Sequence, residues 1–327
     1  MAQTITYREA LNQALREEMR RDSNILVLGE DVAAYGGAFK VTEGLLQEFG
    51  PERVIDTPIS EEAIAGTGIG AAMVGLRPVV EMMTINFTTL AMDQIVNHAA
   101  KLRYMSGGQI KIPLVIRAAQ AAGLQLGAQH SQNLESWYAH VPGLKVVAPS
   151  VPADAKGLLK SAIRDDNPVM FIEHEALYNT KGDVPDDEYL TPLAKAEVKR
   201  QGKDVTIISY LRTLILAMKA AEHLADIGID AEVVDVRTLR PLDTETIVGS
   251  VKKTHRAVIV EEDWKSVGMG AEISARILEG AFDYLDAPVM RVALAEVPMP
   301  YSKPLEQLAV PLQDDIVMAV RQIMGKA

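Results

Sequence analysis

The 327-residue chain contains no cysteine. That excludes disulfides, thiolate-held zinc, iron–sulfur clusters and thiol nucleophiles together, so any nucleophile must come from another side chain or from a cofactor. Long apolar runs are missing too: none approaches the ~18 residues needed to span a bilayer. The opening Met1–Ala10 segment is polar and lacks the hydrophobic core of a secretion signal. A soluble, cytoplasmic protein is expected. Positive charge is in deficit, with 33 Lys and Arg against 44 Asp and Glu, and the resulting net charge of −11 repels nucleic acid and anionic membranes. No Walker A phosphate loop is present. Gly66, Gly68, Gly70 and Gly75 are not spaced as Gly-x-Gly-x-x-Gly and fall within a helical stretch rather than in the turn before it, so helix packing is their expected use.

What is present is a regular alternation of strand-like and helix-like segments. At roughly 150 residues per domain the length suits two domains. Thr6 and Glu9 form a capping-box pattern ahead of a helix over Tyr7–Arg21, and Ile25–Gly29 reads as a buried strand. Further strands are expected at Val54-Ile55, Val79–Met83, Lys111–Arg117, Lys145–Ala148 and Val169–Ile172, with an amphipathic helix over Asn86–Tyr104. Between Asn179 and Thr191 the chain turns charged, Pro-containing and weakly apolar, like a linker. The β-α-β rhythm then resumes from Val205 to Val292. The expectation is an α/β protein of two doubly wound domains with mostly parallel sheets, covering 1–185 and 201–327, with 186–200 as the connection.

The stretch from Val54 to Gly75 carries the best chemistry: a short strand, a Pro-broken turn, Ser60 as N-cap, and Glu61 and Glu62 in the first turn of a Gly/Ala-rich helix. Its carboxylates sit off the C-terminal end of a strand, where open α/β sheets bind ligands. Acids in a first helical turn also simply complement the helix dipole. Among six histidines, His130 has small and polar loop neighbours, whereas His98, His140, His223 and His255 suit packed, capped or surface positions. Glu173-His174-Glu175 lacks the paired histidines of a metal site, and Glu261-Glu262-Asp263 is expected to be a solvated acidic strand end. These residues define a ligand site without a reaction.

Longer motifs add a reaction. Asp56-Thr57-Pro58-Ile59-Ser60-Glu61, Met83-Thr84-Ile85-Asn86-Phe87, Gln94-Ile95-Val96-Asn97 and Arg103-Tyr104-Met105-Ser106-Gly107-Gly108 occur in the first half of the chain. Gly127-Ala128-Gln129-His130-Ser131-Gln132, Asp235–Asp243 and Pro298-Met299-Pro300-Tyr301 follow in order. With them the chain resembles, over nearly its whole length, the beta subunits of thiamine-diphosphate-dependent 2-oxoacid dehydrogenases, above all those acting on pyruvate. The branched-chain 2-oxoacid counterparts are the nearest alternative. An NAD-type oxidoreductase, or a structural subunit without chemistry, are further readings.

The resemblance implies a pyrimidine-binding domain, a transketolase-like C-terminal domain and an alpha2-beta2 heterotetramer with an alpha subunit. It further implies oxidative decarboxylation of pyruvate and acetyl transfer to a lipoyl group on an acyltransferase core. By the same resemblance Glu61 bonds N1′ of the cofactor's aminopyrimidine and Phe87 stacks on that ring. Ile59 and Met83 wall the site, and His130 serves the substrate side. Leu114, Ala162, Ile163, Asp165 and Asn167 match a structural potassium site. The family holds the cofactor's diphosphate with Mg2+ on a Gly-Asp-Gly segment, and this chain has none, which the resemblance assigns to the alpha subunit. One departure is visible: where the family commonly has Gly-Pro after Arg117, this chain has Ala118-Ala119-Gln120-Ala121-Ala122-Gly123, which alters the backbone options leading to His130.

Overall fold

A computed structural model describes residues 2–325. The chain forms two compact units: one runs to Gln120 and resumes from Trp137 to Leu193, while the other takes Ala121–Ser136 and everything from Ala194 onward. The loop bearing His130 therefore belongs with the C-terminal unit. The stretch expected as a connection, 186–200, straddles the division after Leu193 and ends in a strand, Glu197–Arg200.

The first unit opens with β1 (Ala2–Thr6) and α1 (Tyr7–Arg21). The capping box is formed: the Thr6 hydroxyl accepts the Glu9 N–H at 3.2 Å and the Glu9 carboxylate accepts the Thr6 N–H at 2.7 Å. There follow β2 (Ile25–Gly29), α2 (Leu45–Phe49), β3 (Val54–Asp56), α3 (Glu61–Met73) and β4 (Arg77–Thr84). Then come α4 (Ala100–Met105), β5 (Val115–Gln120), α5 (Glu135–Ala139), β6 (Lys145–Val147), α6 (Pro152–Arg164), β7 (Val169–His174) and β8 (Lys181–Pro185). Six strands of this unit run parallel in the order β6-β7-β5-β4-β2-β3. The chain passes from β2 outward to β3 and then back across β2 to β4, which puts a topological switch point between β2 and β4.

Three local expectations are corrected. The segment 86–104 is not one α-helix but a 3₁₀ turn (Ile85–Ala91), a π segment (Gln94–Ala99) and α4. The hydroxyls of Thr88 and Thr89 donate to the carbonyls three residues back, Ile85 and Asn86, and this competition tightens the first turns. Within the linker-like stretch, Lys181–Pro185 is β8, paired antiparallel with β1 from Ala2↔Pro185 to Thr6↔Lys181. Of the glycines expected to pack a helix only Gly68 is tight, since a Cβ there would lie 2.6 Å from Val80 Cγ1; Gly70 faces open space, and Gly75 lies beyond the end of α3. No helix among the described residues is long and apolar enough to cross a membrane.

The second unit contains β9 (Glu197–Arg200), β10 (Val205–Ser209), α7 (Leu211–Asp226), β11 (Ala231–Asp235), β12 (Thr238–Arg240) and α8 (Thr244–Thr254). It continues with β13 (Ala257–Trp264), α9 (Met269–Ala281), β14 (Met290–Leu294), α10 (Lys303–Ala309) and α11 (Gln313–Ile323). Its sheet has the order β14-β13-β10-β11-β9, parallel except for the edge strand β9. The acidic end of β13 is not solvated. Glu261, Glu262 and Asp263 are all buried. Glu261 accepts the Gly270 N–H at 2.6 Å and pairs with Arg291 at 2.7 Å. A carboxylate of the chain itself thus occupies the N-terminus of α9, where doubly wound folds commonly place an anion.

Burial pushes Glu261 up to about 7, against the opposing pull of Arg291, and burial likewise raises Asp263 to about 6. An acid raised on folding binds its proton more tightly in the folded chain, so stability falls as pH rises from the unfolded value near 4.5 toward 7. Glu261→Gln should flatten the fall in melting temperature between pH 5 and 7 without abolishing it, because Asp263 still titrates; a melting profile of undiminished slope would refute this assignment.

Candidate active site

At the switch point of the first unit, the chain leaves β2 through Glu30 and leaves β3 through the turn Thr57–Ser60. It leaves β4 through Ile85–Ala91, so three strand ends converge. Glu61 begins α3 and is buried, with 7% of its surface accessible. Ser60 occupies the N-cap but its side chain makes no capping hydrogen bond, so the first-turn amides of α3 are not satisfied by it. Asp56, at the end of β3, instead turns back to accept the amides of Ala33 at 2.6 Å and Ala34 at 3.1 Å, fixing the loop after β2.

The Glu61 carboxylate accepts no hydrogen bond from the described residues, and the buried Thr57 hydroxyl also lacks a partner among them. Buried polar groups are ordinarily paired, so such groups at a strand-end crevice are suited to a ligand. Glu30 stands near enough that its carboxyl is raised above the usual range, first by burial and then by the charges of Glu61 and Asp31. Glu62 is exposed and weakly bonded to Gln94 at 3.4 Å, which separates the adjacent glutamates into one inward and one outward.

Met83 and Phe87 are half-buried, on β4 and on the 3₁₀ turn after it, and α3 packs against both elements. Ile59 is 82% exposed on the turn before α3. Glu61, Met83 and Phe87 therefore lie on elements that pack against one another, with Ile59 on the turn before α3. His130 is exposed and lies in the second unit. The Ala-rich segment before it is not a loop from Arg117: Ala118-Ala119-Gln120 complete β5, registered with Ile172, Glu173 and His174 of β7, and the turn begins at Gly123 with φ +87°. Without Gly or Pro, nothing stops the strand earlier.

Of the residues matched to a potassium site, Ala162 and Ile163 lie in the last turn of α6, Asp165 and Asn167 follow it directly, and Leu114 precedes β5. The carbonyls of Ile163 and Asp165 accept the Arg77 guanidinium at 2.9 and 2.8 Å. Ala162 and Leu114 carbonyls accept the amides of Asp165 and Val169. Asn167 Oδ1 accepts from Arg103 at 2.7 Å, and Asp165 pairs with Lys145. The oxygens suit a hard cation, and each of these four carbonyls retains a second lone pair, but the chain's own cations already crowd the cluster.

A buried ionic network was not singled out by motif. Arg117 of β5 donates to both Glu173 oxygens at 2.7 and 2.9 Å and to Glu81 at 2.5 Å, and the Tyr178 hydroxyl donates to Glu173 at 2.8 Å. Burial raises the Glu81 carboxyl, with Arg117 opposing, and burial with the Glu173 charge raises the Tyr178 phenol well above its usual range. The available signal was a charged residue inside each of three otherwise apolar strands. His174 of the supposed metal triplet caps the following turn, its Nδ1 accepting the Ala176 N–H at 3.1 Å. No cluster of metal-binding side chains occurs among the described residues.

Comparison with known proteins places this geometry. A family model described as the transketolase pyrimidine-binding domain matches residues 3–181, and one described as the transketolase C-terminal domain matches residues 194–316. A solved chain described as split gene transketolase, inactive beta4 tetramer, superposes with a TM-score of 0.80 at 25% identity, covering 98% of both chains. The fold and site therefore define a two-domain protein of the transketolase class. The pyruvate dehydrogenase E1 component subunit beta of Rhizobium meliloti is 53% identical over 99% of this chain and 70% of its own length. That of Rickettsia felis is 53% identical over 98% of both, and the mitochondrial one of Dictyostelium discoideum 53% over 98% of this chain and 91% of its own. The chain belongs to the family of pyruvate dehydrogenase E1 beta subunits.

Removing one partner of a buried ion pair leaves the other charge uncompensated, at a cost of roughly 3–5 kcal/mol. Arg117→Met should destabilise the first unit on that scale in denaturant titrations, and a change within about 1 kcal/mol would show that the network is not structurally required.

Proposed function

We propose that this chain is the beta half of a pyruvate dehydrogenase. In this reading it binds the pyrimidine end of thiamine diphosphate at the β2/β4 switch point and acts only when joined to an alpha subunit. The single observation that carries the reading is Glu61: a buried carboxylate with no donor among the described residues, at the strand-end crevice of a domain whose family is described by pyrimidine binding. When bound, the cofactor supplies the carbon nucleophile and electron sink needed to decarboxylate a 2-oxoacid. Everything else falls to side chains.

Glu61 holds a proton at its carboxyl against a ring nitrogen, and the low-dielectric crevice makes that hydrogen bond strong. Glu30, disfavoured as an anion first by its burial, keeps a second carboxyl able to exchange a proton nearby. Phe87 offers its ring face to the pyrimidine, with Met83 and Ile59 excluding water. His130 serves the substrate side, assisting acetyl transfer toward a lipoyl group on an acyltransferase core. The diphosphate and its Mg2+ are assigned to the alpha subunit, because this chain has no Gly-Asp-Gly segment. Ile59, Leu90, Tyr104 and Met105 are each more than half exposed, and apolar surface of this kind supports a partner subunit in an alpha2-beta2 assembly.

The test is turnover by the assembled alpha–beta enzyme. The parent should prefer pyruvate to 2-oxoisovalerate. Glu61→Gln should lose about 10²-fold or more in kcat with assembly intact, in the range for a general acid–base group. Preference for the branched acid, or an active Glu61→Gln enzyme, would sink the reading. The proposed structural potassium ion gives a separate readout: replacing K+ by choline should lower the melting temperature, and an identical curve in both salts would remove the ion from the account.

A further inference from the structure

The Pro298-Met299-Pro300-Tyr301 segment and the helix after it have no part in the chemistry above, yet they meet the loop that carries His130. Met299 is buried in a cluster with Ala122, Leu294, Ala309 and Val310, so the start of that loop is rooted in this C-terminal segment. Tyr301 lies against Gly127, where a Cβ would stand 3.4 Å from the ring and where φ is +79°. Between them Gln125 adopts φ +60°, a left-handed conformation unusual for a residue with a side chain. Its amide donates at 2.8 Å to the carboxylate of Glu306 on α10.

Glu306 is only 2% exposed, and this is the hydrogen bond its side chain receives from the described residues. The dependence is mutual. If the turn leaves, a buried carboxylate is stranded; if the carboxylate is removed, the left-handed turn loses the interaction that holds it. Beyond His130 the loop is tied again, the Asn133 side-chain amide donating to the Glu262 carbonyl and the Tyr210 hydroxyl donating to Glu135 at 2.9 Å. His130 therefore sits on a span suspended between two anchors, its own amide reaching back to the Gly127 carbonyl at 3.3 Å.

We infer that Glu306 is a positioning residue for His130: by holding the Gln125 amide it sets the course of the loop that presents the imidazole. The inference rests on the substrate-side role given to His130. It separates Glu306 from groups that touch substrate, since its carboxylate faces the backbone of the loop and its effect passes through His130.

The experiment compares Glu306→Ala, Glu306→Gln, His130→Ala and the Glu306→Ala/His130→Ala double variant in the assembled alpha–beta enzyme. Amide hydrogen exchange, kcat on pyruvate and thiamine diphosphate affinity are measured for each. Glu306→Ala should speed exchange over 125–130 by about tenfold or more, leaving β10 and β13 unchanged. It should lower kcat by at least about tenfold, as expected for a misplaced catalytic group, with cofactor affinity unaltered. Glu306→Gln keeps a carbonyl acceptor and should recover most of both losses. In the His130→Ala background the Glu306→Ala change should cost less than about twofold, because positioning has nothing left to position. Unchanged exchange in Glu306→Ala, full turnover despite a loosened loop, or an undiminished cost in the double variant would each overturn the inference. Full turnover in His130→Ala alone would instead overturn the role of His130 itself.

Discussion

One buried arginine organises the centre of the first unit. Arg117 reaches from β5 across to Glu81 on β4 and Glu173 on β7, so three neighbouring parallel strands are tied through side chains as well as through their backbone ladder. Two carboxylates share one guanidinium, and burial raises Glu81 against that pull. The loop after β2 is fitted over the same group. At Gly29, the last residue of β2, a Cβ would stand 2.7 Å from the Glu81 carbonyl, and in the loop beyond it one at Gly37 would lie 3.0 Å from Thr42 Oγ1 and 3.5 Å from a Glu81 carboxylate oxygen. Glycine at these two places lets the backbone close down on the network. The same loop is held at Ala33 and Ala34 by Asp56, at the start of the turn that leads to Glu61.

The candidate site shows a division between positioning and chemistry. Strand ends deliver Glu30 and the turns leading to Glu61 and Phe87, and α3 brings these together by packing on β4 and the 3₁₀ turn. In the other unit the comparable strand-end crevice is filled by the chain's own groups: Glu261 takes the N-terminus of α9 and Arg291 neutralises it. One doubly wound unit leaves a carboxylate without a donor among the described residues at its switch point and the other satisfies its own, which agrees with a single cofactor-binding domain per chain in the proposed reading.

Much of this was legible from residue order. The Thr6/Glu9 box and the apolar spacing behind it specify α1 to the residue, and Val205–Ser209 likewise, because both are local patterns. The placing of Glu61 at the start of α3 was legible because a strand, a Pro-containing turn and an acid in a first helical turn follow one another directly. Other features were not. The 3₁₀ and π turns after β4 depend on threonine hydroxyls competing for carbonyls, which helical periodicity does not register. β8 looked like a linker because its partner β1 lies some 180 residues earlier, and a two-stranded pairing leaves little hydrophobic signal.

The boundary between what sequence and tertiary structure each decide is therefore one of range. The sequence by itself determined the α/β alternation, the cysteine-free chemistry and the local placing of Glu61 and Glu62, since these follow from composition and from contacts within a few residues. Only the tertiary structure decided that Glu261–Asp263 are buried, that Arg117, Glu81 and Glu173 form one group, and that the His130 loop belongs to the C-terminal unit. Charges far apart in the chain become energetically coupled only when folding removes water from between them, and no spacing along a sequence encodes that distance.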